Sequence, residues 1–375
     1  MQLTPRQQLL QFAHSLQTSL IPALEPELGP MGSRAQLLVH VLAAVPLGRW
    51  QRGPRLGRPA QDRLALTAAF LAKAVYGLAT TRQLMNQLRV DQQLRRLCGW
   101  FHASQIPHES TFSRAFAEFA RTALPQKLHE ALIAATQRQR LIGHISRDST
   151  AIAARERFAD PPQARKKRKL KKPKRAKAID RGTQIERQRM QSLDRMLADL
   201  HTSCSLGVKK SSKGHQHYWR GYKLHLDVAD GQIPISAILT GAKVHDCNVA
   251  IPLMTMSGQR ITWLYDLMDS AYDADAILAH SRSLQHVPIV DPHPRRNGRS
   301  QSILPKVFPP KRAPQLTWAQ RDRFRERSTV ERVFSRLKDE FTASSIRVRG
   351  PHKVMAHLCF GLIALTVDQL IKLTG

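Results

Sequence analysis

Residue types that can do chemistry are densest in residues 327–338, where one acid lies between two bases. Arg327 precedes Glu331 by four residues and Lys338 follows it by seven, so a helix would place the three side chains along one stripe. The neighbouring stripe is apolar and would pack on a core. It consists of Val330, Val333, Phe334, Leu337 and Phe341. Such a helix can present a metal-binding carboxylate together with phosphate-binding cations, and the alternative is an exposed helix with ordinary i,i+4 ion pairs.

Two further acids lie at the ends of apolar segments that are typical of strands. Asp148 ends the segment 141–148, and Asp269 follows the segment 263–268. Because functional groups gather at strand ends in open α/β sheets, we expect these carboxylates to converge with Glu331. Three carboxylates would make a hard-oxygen site for Mg²⁺ or Mn²⁺. Two such ions about 3.5–4 Å apart can activate a water or a 3′-hydroxyl in phosphodiester chemistry.

Other acids near these positions have ordinary structural interpretations. Asp266 lies inside the apolar strand, and Asp227 is expected to be structural. Asp273 is predicted to be a helix N-cap, the commoner use of Asp at such a position. Asp246 is also predicted to be a cap, with a place near the site left open.

The segment 201–219 offers two further candidates. His201 and Cys204, together with His215 and His217, form a possible zinc set, but their spacing fits no standard zinc pattern. Trp219 has a flat apolar ring that can stack on a nucleic-acid base. Packing inside the protein is the more ordinary role for it.

The chain is strongly basic, and this limits the kinds of partner it can have. Lys and Arg total 59 against 28 Asp and Glu, which gives a formal net charge of +31. Such a field repels itself unless a polyanion neutralises it, and phosphate contacts make nucleic acid the leading partner. A membrane surface is disfavoured, because the basic residues are spread along the chain without a basic amphipathic helix.

The densest basic run is residues 165–177, where ten of thirteen residues are Lys or Arg. It includes Lys166, Lys167, Arg168 and Lys169. A run this charged does not pack, so we interpret it as a solvated loop or insertion that contacts DNA phosphates.

Cysteine usage and apolar runs indicate the compartment. The four cysteines form no Cys-x-x-Cys pair and are interpreted as free thiols in a reducing compartment. No secretory signal is recognised at residues 1–7. The apolar stretch 354–373 contains charged and polar residues, which favours a buried helix over a membrane span. We therefore expect a cytoplasmic protein that acts at the nucleoid.

The hydrophobic period changes near residue 140. Residues 1–140 are predicted to be helical, with clear helical spacing at 63–76 and 124–136 and a further helix capped by Ser110. These helices are compatible with a DNA-binding module or with a plain bundle. The remainder predicts an α/β domain with a mixed sheet. Its expected order is strand 141–148, a basic insertion, a helical patch at 184–200, strands at 222–228 and 234–239, a helix from 246, strand 263–268, helix 273–282, strand 287–290 and the Glu331 helix.

With these segments in this order, the chain resembles the DDE transposases of bacterial insertion sequences. The matching pieces are Arg147-Asp148-Ser149-Thr150, Gly221-Tyr222-Lys223-Leu224-His225, Gly241-Ala242-Lys243-Val244-His245-Asp246, Met268-Asp269-Ser270-Ala271-Tyr272-Asp273 and the Glu331 helix. That helix resembles the family's Tyr-x2-Arg-x3-Glu-x6-Lys signature. Phe324 occupies the tyrosine position, so the aromatic ring is kept and the hydroxyl is lost.

The resemblance implies a ribonuclease-H-like mixed sheet flanked by helices and preceded by an all-α N-terminal domain. The implied division is 1–140 for binding DNA ends, 141–345 for catalysis with a basic insertion at about 151–215, and a C-terminal helix at 346–375. Asp148, Asp269 and Glu331 would be the catalytic ligands of two Mg²⁺ or Mn²⁺ ions. Arg327 and Lys338 would bind DNA phosphates near the cut.

The implied activity is metal-dependent cleavage at the terminal inverted repeats of an insertion sequence, followed by joining of the freed 3′-hydroxyls to target DNA. A homodimer on paired double-stranded ends is implied as well. One alternative is a nuclease of the same fold without strand transfer. Another is a catalytically silent DNA-binding protein derived from a transposase, against which the intact set of three acids argues.

Overall fold

A computed structural model of the chain describes residues 7, 11–12, 14–47, 61–156, 183–210, 215–291 and 316–374. The basic run 165–177, with Lys166, Lys167, Arg168 and Lys169, lies outside the described residues. Its predicted role in phosphate contact therefore stays a prediction.

Six strands form one mixed sheet with β1 at its centre. The strands are β1 (Leu141–Ala153), β2 (Ser205–Lys210), β3 (Gln216–Ala229), β4 (Ile233–Gly241), β5 (Thr262–Met268) and β6 (Val287–Val290). β1 pairs antiparallel with β3 on one side and parallel with β5 on the other, and β6 extends the sheet in parallel beyond β5. With helices on both sides, this is the mixed, ribonuclease-H-like α/β arrangement that the sequence predicted.

Strand β3 is long enough to have two successive neighbours on its outer edge. Its first part pairs with β2 and its second part with β4. The change falls at Gly221, which has φ +152° and where a Cβ would lie 2.1 Å from the carbonyl oxygen of Ile152. Only glycine permits this close approach of β3 to β1.

The sequence prediction missed β2 and the first residues of β3. The alternating apolar residues of β2, Leu206 and Val208, are about half exposed, so they do not show the burial that alternation normally indicates. Trp219 packs over Gly207, where a Cβ would lie 2.3 Å from the indole ring. Its Nε1 donates to the carbonyl oxygen of Tyr222 at 3.1 Å, which confirms packing as its role.

Among the described residues, seven α-helices precede the sheet. They are α1 (Ile21–Leu28), α2 (Ser33–Ala44), α3 (Arg63–Val75), α4 (Thr81–Val90), α5 (Gln92–Leu97), α6 (Glu109–Arg121) and α7 (Leu124–Gln137). The helices predicted at 63–76 and 124–136 are thereby confirmed. The predicted cap at Ser110 is wrong: α6 begins at Glu109, and the cap is His108, whose Nδ1 accepts from the Ser110 backbone N–H at 3.2 Å.

Seven further α-helices follow β1 in the part of the chain that the structure describes. They are α8 (Gln184–Gln188), α9 (Leu193–Ala198), α10 (Cys247–Gly258), α11 (Asp275–Ser283), α12 (Trp318–Arg325), α13 (Ser328–Asp339) and α14 (Pro351–Thr374). The patch predicted at 184–200 is two short helices. The predicted N-cap role of Asp273 is wrong, because α11 is preceded by Ala274 and Asp273 ends a short 3₁₀ turn.

Helix α14 is the central helix of the α layer. It packs against α2, α3, α6 and α7 and against β4. Its length and its mean hydropathy of 1.8 would suffice to cross a membrane, but 83% of that stretch is buried inside the protein. This agrees with the predicted buried helix. One hydrophobic core joins Phe70 of α3, Phe112 of α6, Leu224 of β3, Val330 of α13 and Leu362 of α14.

Candidate active site

Asp148 and Asp269 are neighbours at the point where the parallel pairing of β1 with β5 ends. The last paired residues are Arg147 and Met268, and each acid is the next residue along its strand. The sequence predicted that Asp148 ends the first strand. This is wrong, because β1 continues to pair with β3 as far as Ala153. Asp269 follows the end of β5, as predicted, whereas Asp148 lies inside β1 at the point where its pairing with β5 ends.

Backbone N–H groups hold one oxygen of each carboxylate. Asp148 Oδ1 accepts from the Ser149 N–H at 2.6 Å. Asp269 caps the 3₁₀ turn Ser270–Tyr272 and accepts from the Ala271 N–H at 2.9 Å. Both side chains are therefore fixed in orientation before any ligand binds.

The surroundings of these two acids oppose their ionisation. Burial raises the pKa of Asp148 to about 6, and the negative charges of Asp269 and Asp246 act in the same direction. Burial, with the charge of Asp246, also raises the pKa of Asp269. Buried carboxylates that repel one another favour a bound cation, because it stabilises the ionised form of each.

Helix α13 brings a third acid and a base to the same place. Arg327 immediately precedes the helix, and its Nη2 donates to Glu331 Oε1 at 2.8 Å. Its Nη1 lies 3.6 Å from Asp148 Oδ2, so the guanidinium bridges two of the three acids. The Phe324 ring is 5.9 Å from the guanidinium carbon. The apolar stripe of α13 is buried as predicted, and the Glu331 side chain is about half exposed.

Lys338 lies on the same helix but has a different environment. Its Nζ donates to Thr150 Oγ1 at 2.6 Å, which ties α13 to β1 two residues beyond Asp148. Burial lowers the pKa of this lysine, with nearby Lys209 adding to the effect. In the free protein Lys338 therefore connects a helix to a strand, and its predicted contact with DNA phosphate stays a prediction.

The acids line an open cleft of roughly 680 Å³. Asp148, Asp269, Glu331 and Arg327 lie on its wall together with the side chains of β2 and of the loop after β4. The added cations are Lys209, Lys223 and Lys243. A cleft that combines carboxylates with several cations suits a polyanionic substrate bound beside a metal site.

Asp246 also lines this cleft, and its predicted role as a cap is wrong. It precedes α10 without a side-chain capping bond. Its Oδ1 accepts from Lys223 Nζ at 3.0 Å and from Ser149 Oγ at 2.9 Å. Burial opposes ionisation, but His225 and Lys223 and these hydrogen bonds outweigh it, so the pKa of Asp246 is lowered.

Near neutral pH, Lys223 supplies the positive charge that stabilises the ionised carboxylate of Asp246. Burial lowers the pKa of His225 to about 4, so its imidazole is then neutral. Lys223 and His225 are two residues apart on β3, and Ser149 pairs with His225 across the strands. A Lys-x-His pattern on the strand opposite Asp148-Ser149 is the sequence signal that could have placed Asp246 here.

Beneath the site, on the opposite face of β1, Arg147 forms a fully buried ionic network. Its Nε lies 2.7 Å from Asp227 Oδ1, and its Nη2 donates to Asp227 Oδ2 at 2.9 Å. Its Nη1 lies 3.3 Å from Asp266 Oδ1. The hydroxyls of Ser257 and Ser281 donate to the two acids. The network joins β1, β3 and β5 next to the two catalytic candidates and confirms the structural role of Asp227.

The donor chemistry of the cleft fits a hard divalent cation, since Asp148, Asp269 and Glu331 all offer carboxylate oxygens. Within the part of the chain that the structure describes, no three His, Cys, Asp or Glu side chains lie close enough together to hold a metal ion. Glu331 instead accepts a hydrogen bond from Arg327 at 2.8 Å. The possible zinc set His201, Cys204, His215 and His217 is likewise not brought together as a metal site within the described residues.

Comparisons with known protein families identify two matching regions. The family model described as "Transposase DDE domain" matches residues 148–367, and the one described as "Transposase domain (DUF772)" matches residues 38–118. A search of curated proteins found no match to the chain. The first region begins at Asp148, contains Asp269, Glu331 and Lys338, and spans more than half of the sequence. The chain therefore belongs to the transposase DDE domain family.

Proposed function

We propose that this protein is the DNA transposase of an insertion sequence. It cuts double-stranded DNA at the terminal inverted repeats of its element and transfers the freed 3′-hydroxyls to target DNA. The observation that carries the proposal is the pair Asp148 and Asp269 at the end of the β1–β5 ladder, with Glu331 and Arg327 on the same cleft. The family to which the chain belongs supports the same activity.

In this proposal Asp148, Asp269 and Glu331 would hold a pair of Mg²⁺ or Mn²⁺ ions. The metal supplies Lewis-acid activation of the phosphodiester and of the attacking hydroxyl. Glu331 has to leave Arg327 in order to take part. The released guanidinium group can then donate to a DNA phosphate in the cleft in place of Glu331.

The wider assignments follow from charge and from family membership. A net charge of +31 fits a DNA-bound protein at the nucleoid in the cytoplasm. Cutting both ends of an element together requires two sites, for which we propose a homodimer on paired ends. The basic run 165–177 adds sequence-independent affinity in this proposal.

The test is cleavage of a duplex that carries one end of the element, with Mg²⁺, Mn²⁺ or Ca²⁺ or with excess EDTA. We expect cleavage with Mg²⁺ or Mn²⁺, binding without cleavage in Ca²⁺, and no cleavage in EDTA. The variants Asp148→Asn, Asp269→Asn and Glu331→Gln should each lose cleavage and still bind DNA. Asp194→Asn, an exposed acid on α9, is the matched control and should cleave normally. Full cleavage in EDTA would contradict the metal-dependent mechanism.

The products separate the proposed activity from its alternatives. A transposase yields DNA in which the cut 3′ end is joined to a second duplex. A nuclease of the same fold releases the cut end without a joined product, and a silent DNA-binding protein yields neither. Near-normal activity of Glu331→Gln would mean that the third ligand is a different residue.

A further inference from the structure

A second basic cavity lies between the N-terminal helices and the start of α14. It has a volume of roughly 630 Å³, and it is lined from one side by α3, α4 and α6 and from the other by the chain after β1 and after α13. Both regions matched by the family models contribute to it. Six cationic side chains line it: Lys73, Arg82, Arg155, Arg347, Arg349 and Lys353.

Lys73 is the residue that makes this cavity unusual. Only 7% of its surface is exposed, and it lies in the last turn of α3 among Phe70, Phe116 and His357. Among the described residues, no acid lies within salt-bridge distance of Lys73, and no acceptor is hydrogen-bonded to its ammonium group. Burial lowers the pKa of Lys73 to about 8, so it is still largely charged at neutral pH. An unpaired ammonium on a side chain that is mostly buried favours an anion that reaches it from the cavity.

The other charged residues around the cavity do not supply that anion. Glu109 lines the wall, but it faces Arg82 at 3.5 Å. Glu156, next to Arg155 in sequence, accepts from the Tyr222 hydroxyl and from the Gly350 N–H. The negative end of the α3 dipole offsets the charge of Lys73 in part, since it amounts to about half an elementary charge.

The remaining cations are exposed at the rim of the cavity. Within the described part of the chain, Arg155, Arg347 and Arg349 have no ion-pair partner. An isolated buried lysine can be a residue whose stem packs while its head reaches solvent. Here, however, unpaired arginines surround the lysine on the wall of a cavity. This arrangement has the chemistry of a phosphate site.

We propose that this cavity binds a backbone phosphate of duplex DNA, with Lys73 at its floor and Arg155, Arg347 and Arg349 at its rim. The proposal rests on the proposed function, because it takes DNA as the ligand. It adds that the N-terminal helices and the catalytic sheet grip the same duplex at one junction.

The distance between the cavity and the cleft agrees with a single duplex. Arg155 is seven residues beyond Asp148, and β1 is extended as far as Ala153. At about 3.3 Å per residue the two are at most about 23 Å apart. That length corresponds to about seven base pairs of B-form DNA. This separation is short enough for one duplex to contact both the cleft and the cavity.

The test compares Lys73→Met with Arg121→Gln, which removes an exposed charge from α6 outside the cavity. The probe is a 30-base-pair duplex of arbitrary sequence, titrated by fluorescence anisotropy over a range of NaCl concentrations. We expect Lys73→Met to bind about 3–10-fold more weakly and to reduce the slope of log affinity against log salt by about one. Its melting temperature without DNA should be no lower than that of the wild type, because an unpaired buried charge is removed. Arg349→Gln, at the exposed rim, should weaken binding in the same direction, and Arg121→Gln should change affinity less than either.

Three results would overturn the proposal in distinguishable ways. If Lys73→Met and Arg349→Gln both bind the duplex with wild-type affinity and slope, the cavity is not a DNA contact. If sulfate raises the melting temperature of the wild type but not of Lys73→Met, while duplex binding is equal, the cavity takes a small anion instead of DNA. If the wild type does not bind duplex DNA at all, the proposed function fails with it.

Discussion

Arg327 has a different partner in the free protein from the one proposed for it during catalysis. It neutralises Asp148 at 3.6 Å and Glu331 at 2.8 Å, two acids that would otherwise add to the negative charge around Asp269. The contact to Glu331 is largely open to solvent, so it is worth less than about 1 kcal/mol of stability. Arg327 is therefore free to exchange a carboxylate for a phosphate at small cost.

This exchange predicts the behaviour of Arg327 variants. Arg327→Ala should lower the rate of end cleavage by about 10–100-fold, because the bidentate phosphate contact is lost. Arg327→Lys should restore only part of the rate, since a point charge does not replace the fork. Cleavage rate and melting temperature are measured for each variant, with Arg325→Gln, an exposed arginine of α12, as control. A large loss of stability with normal cleavage by the folded fraction would contradict the phosphate role.

Asp246 and Lys223 should behave as one unit. Lys223→Met leaves the carboxylate of Asp246 partly buried without its cation, which should lower the free energy of unfolding by about 1–3 kcal/mol. Adding Asp246→Asn should recover part of that loss, because the uncompensated charge is removed. Urea unfolding of the two single variants and the double variant measures the coupling. Lys243→Met, an exposed lysine on the same cleft, should change stability little. Strictly additive effects of the two substitutions would mean that the pair does not interact.

At the residue scale, the spacing of the acids and bases along the chain predicted the site better than the immediate sequence context of each residue did. Asp148, Asp269, Glu331 and Arg327 were expected to converge, and all four line one cleft. Their catalytic roles stay predictions. The position of Asp246 before a helix predicts a cap, because an Asp at such a position usually is one. Its partner, Lys223, lies on β3 and approaches the loop after β4 through the antiparallel pairing of β3 with β4.

The element that sets the geometry of the site is β1, which presents Asp148 on one face and Arg147 on the other. The buried guanidinium of Arg147 contacts acids on β3 and β5, so the three strands are fixed to one another immediately below the cleft. The position of Asp148 relative to Asp269 thus depends on an ionic network that no ligand touches.

Removing the side chain of Arg147 should therefore strongly lower the free energy of unfolding. Arg147→Met leaves Asp227 and Asp266 buried without their cation and should cost about 3–5 kcal/mol in the free energy of unfolding. The matched control is Arg140→Met, which breaks the partly exposed pair with Asp230 and should cost about 1 kcal/mol or less. Denaturant unfolding monitored by circular dichroism measures both. A cost for Arg147→Met no larger than that of the control would mean that the network does not stabilise the sheet.

Alternation predicts the second part of β3, and apolar segments predict β1, β4, β5 and β6. It failed for β2 because Leu206 and Val208 face the cleft and not the core. The amphipathic pattern of α13 was found with its start one residue early, since Arg327 precedes the helix. A hydrophobic pattern reports burial, and a strand that lines an open cleft has little of it.

Across the whole molecule, buried histidines link stability to pH. Burial lowers the pKa values of His129 and His357 to about 3, far below the ordinary value of 6.5. In acid the unfolded chain takes up these protons first, so stability falls as the pH drops below about 6.5. The slope is at most about 1.4 kcal/mol per pH unit for each histidine. The raised pKa values of Asp148 and Asp269 act in the opposite sense, because the folded protein takes up these protons before the unfolded chain does.

The corresponding prediction uses the double variant His129→Gln, His357→Gln. It should show a flatter fall in the free energy of unfolding between pH 6.5 and 5 than the wild type, because neither glutamine takes up a proton. Urea unfolding at several pH values gives the slopes. His352→Gln, which removes an exposed histidine from the same helix as His357, should leave the slope unchanged. An equally steep fall in the double variant would show that other groups cause the acid sensitivity.

The overall architecture was predictable because the order of helical and strand periods is characteristic of one sheet arrangement. The placement of α14 was not. Its apolar composition predicted burial, but no local pattern shows that its partners are α2, α3, α6 and α7 at the other end of the sequence. Contacts between distant segments are specified only by the complete three-dimensional packing.

That placement has a consequence for how the protein is made. The helices that enclose α14 leave the ribosome long before it does, since roughly 200 residues separate the end of α7 from the start of α14. At about 5–20 residues per second, the nascent helices wait on the order of 10–40 seconds for the segment that completes their core. During translation they expose an apolar groove that a chaperone, or the chain itself, must cover. A message that ends early therefore yields a catalytic sheet beside an unfilled helical layer, and such a product should be degraded before it reaches DNA.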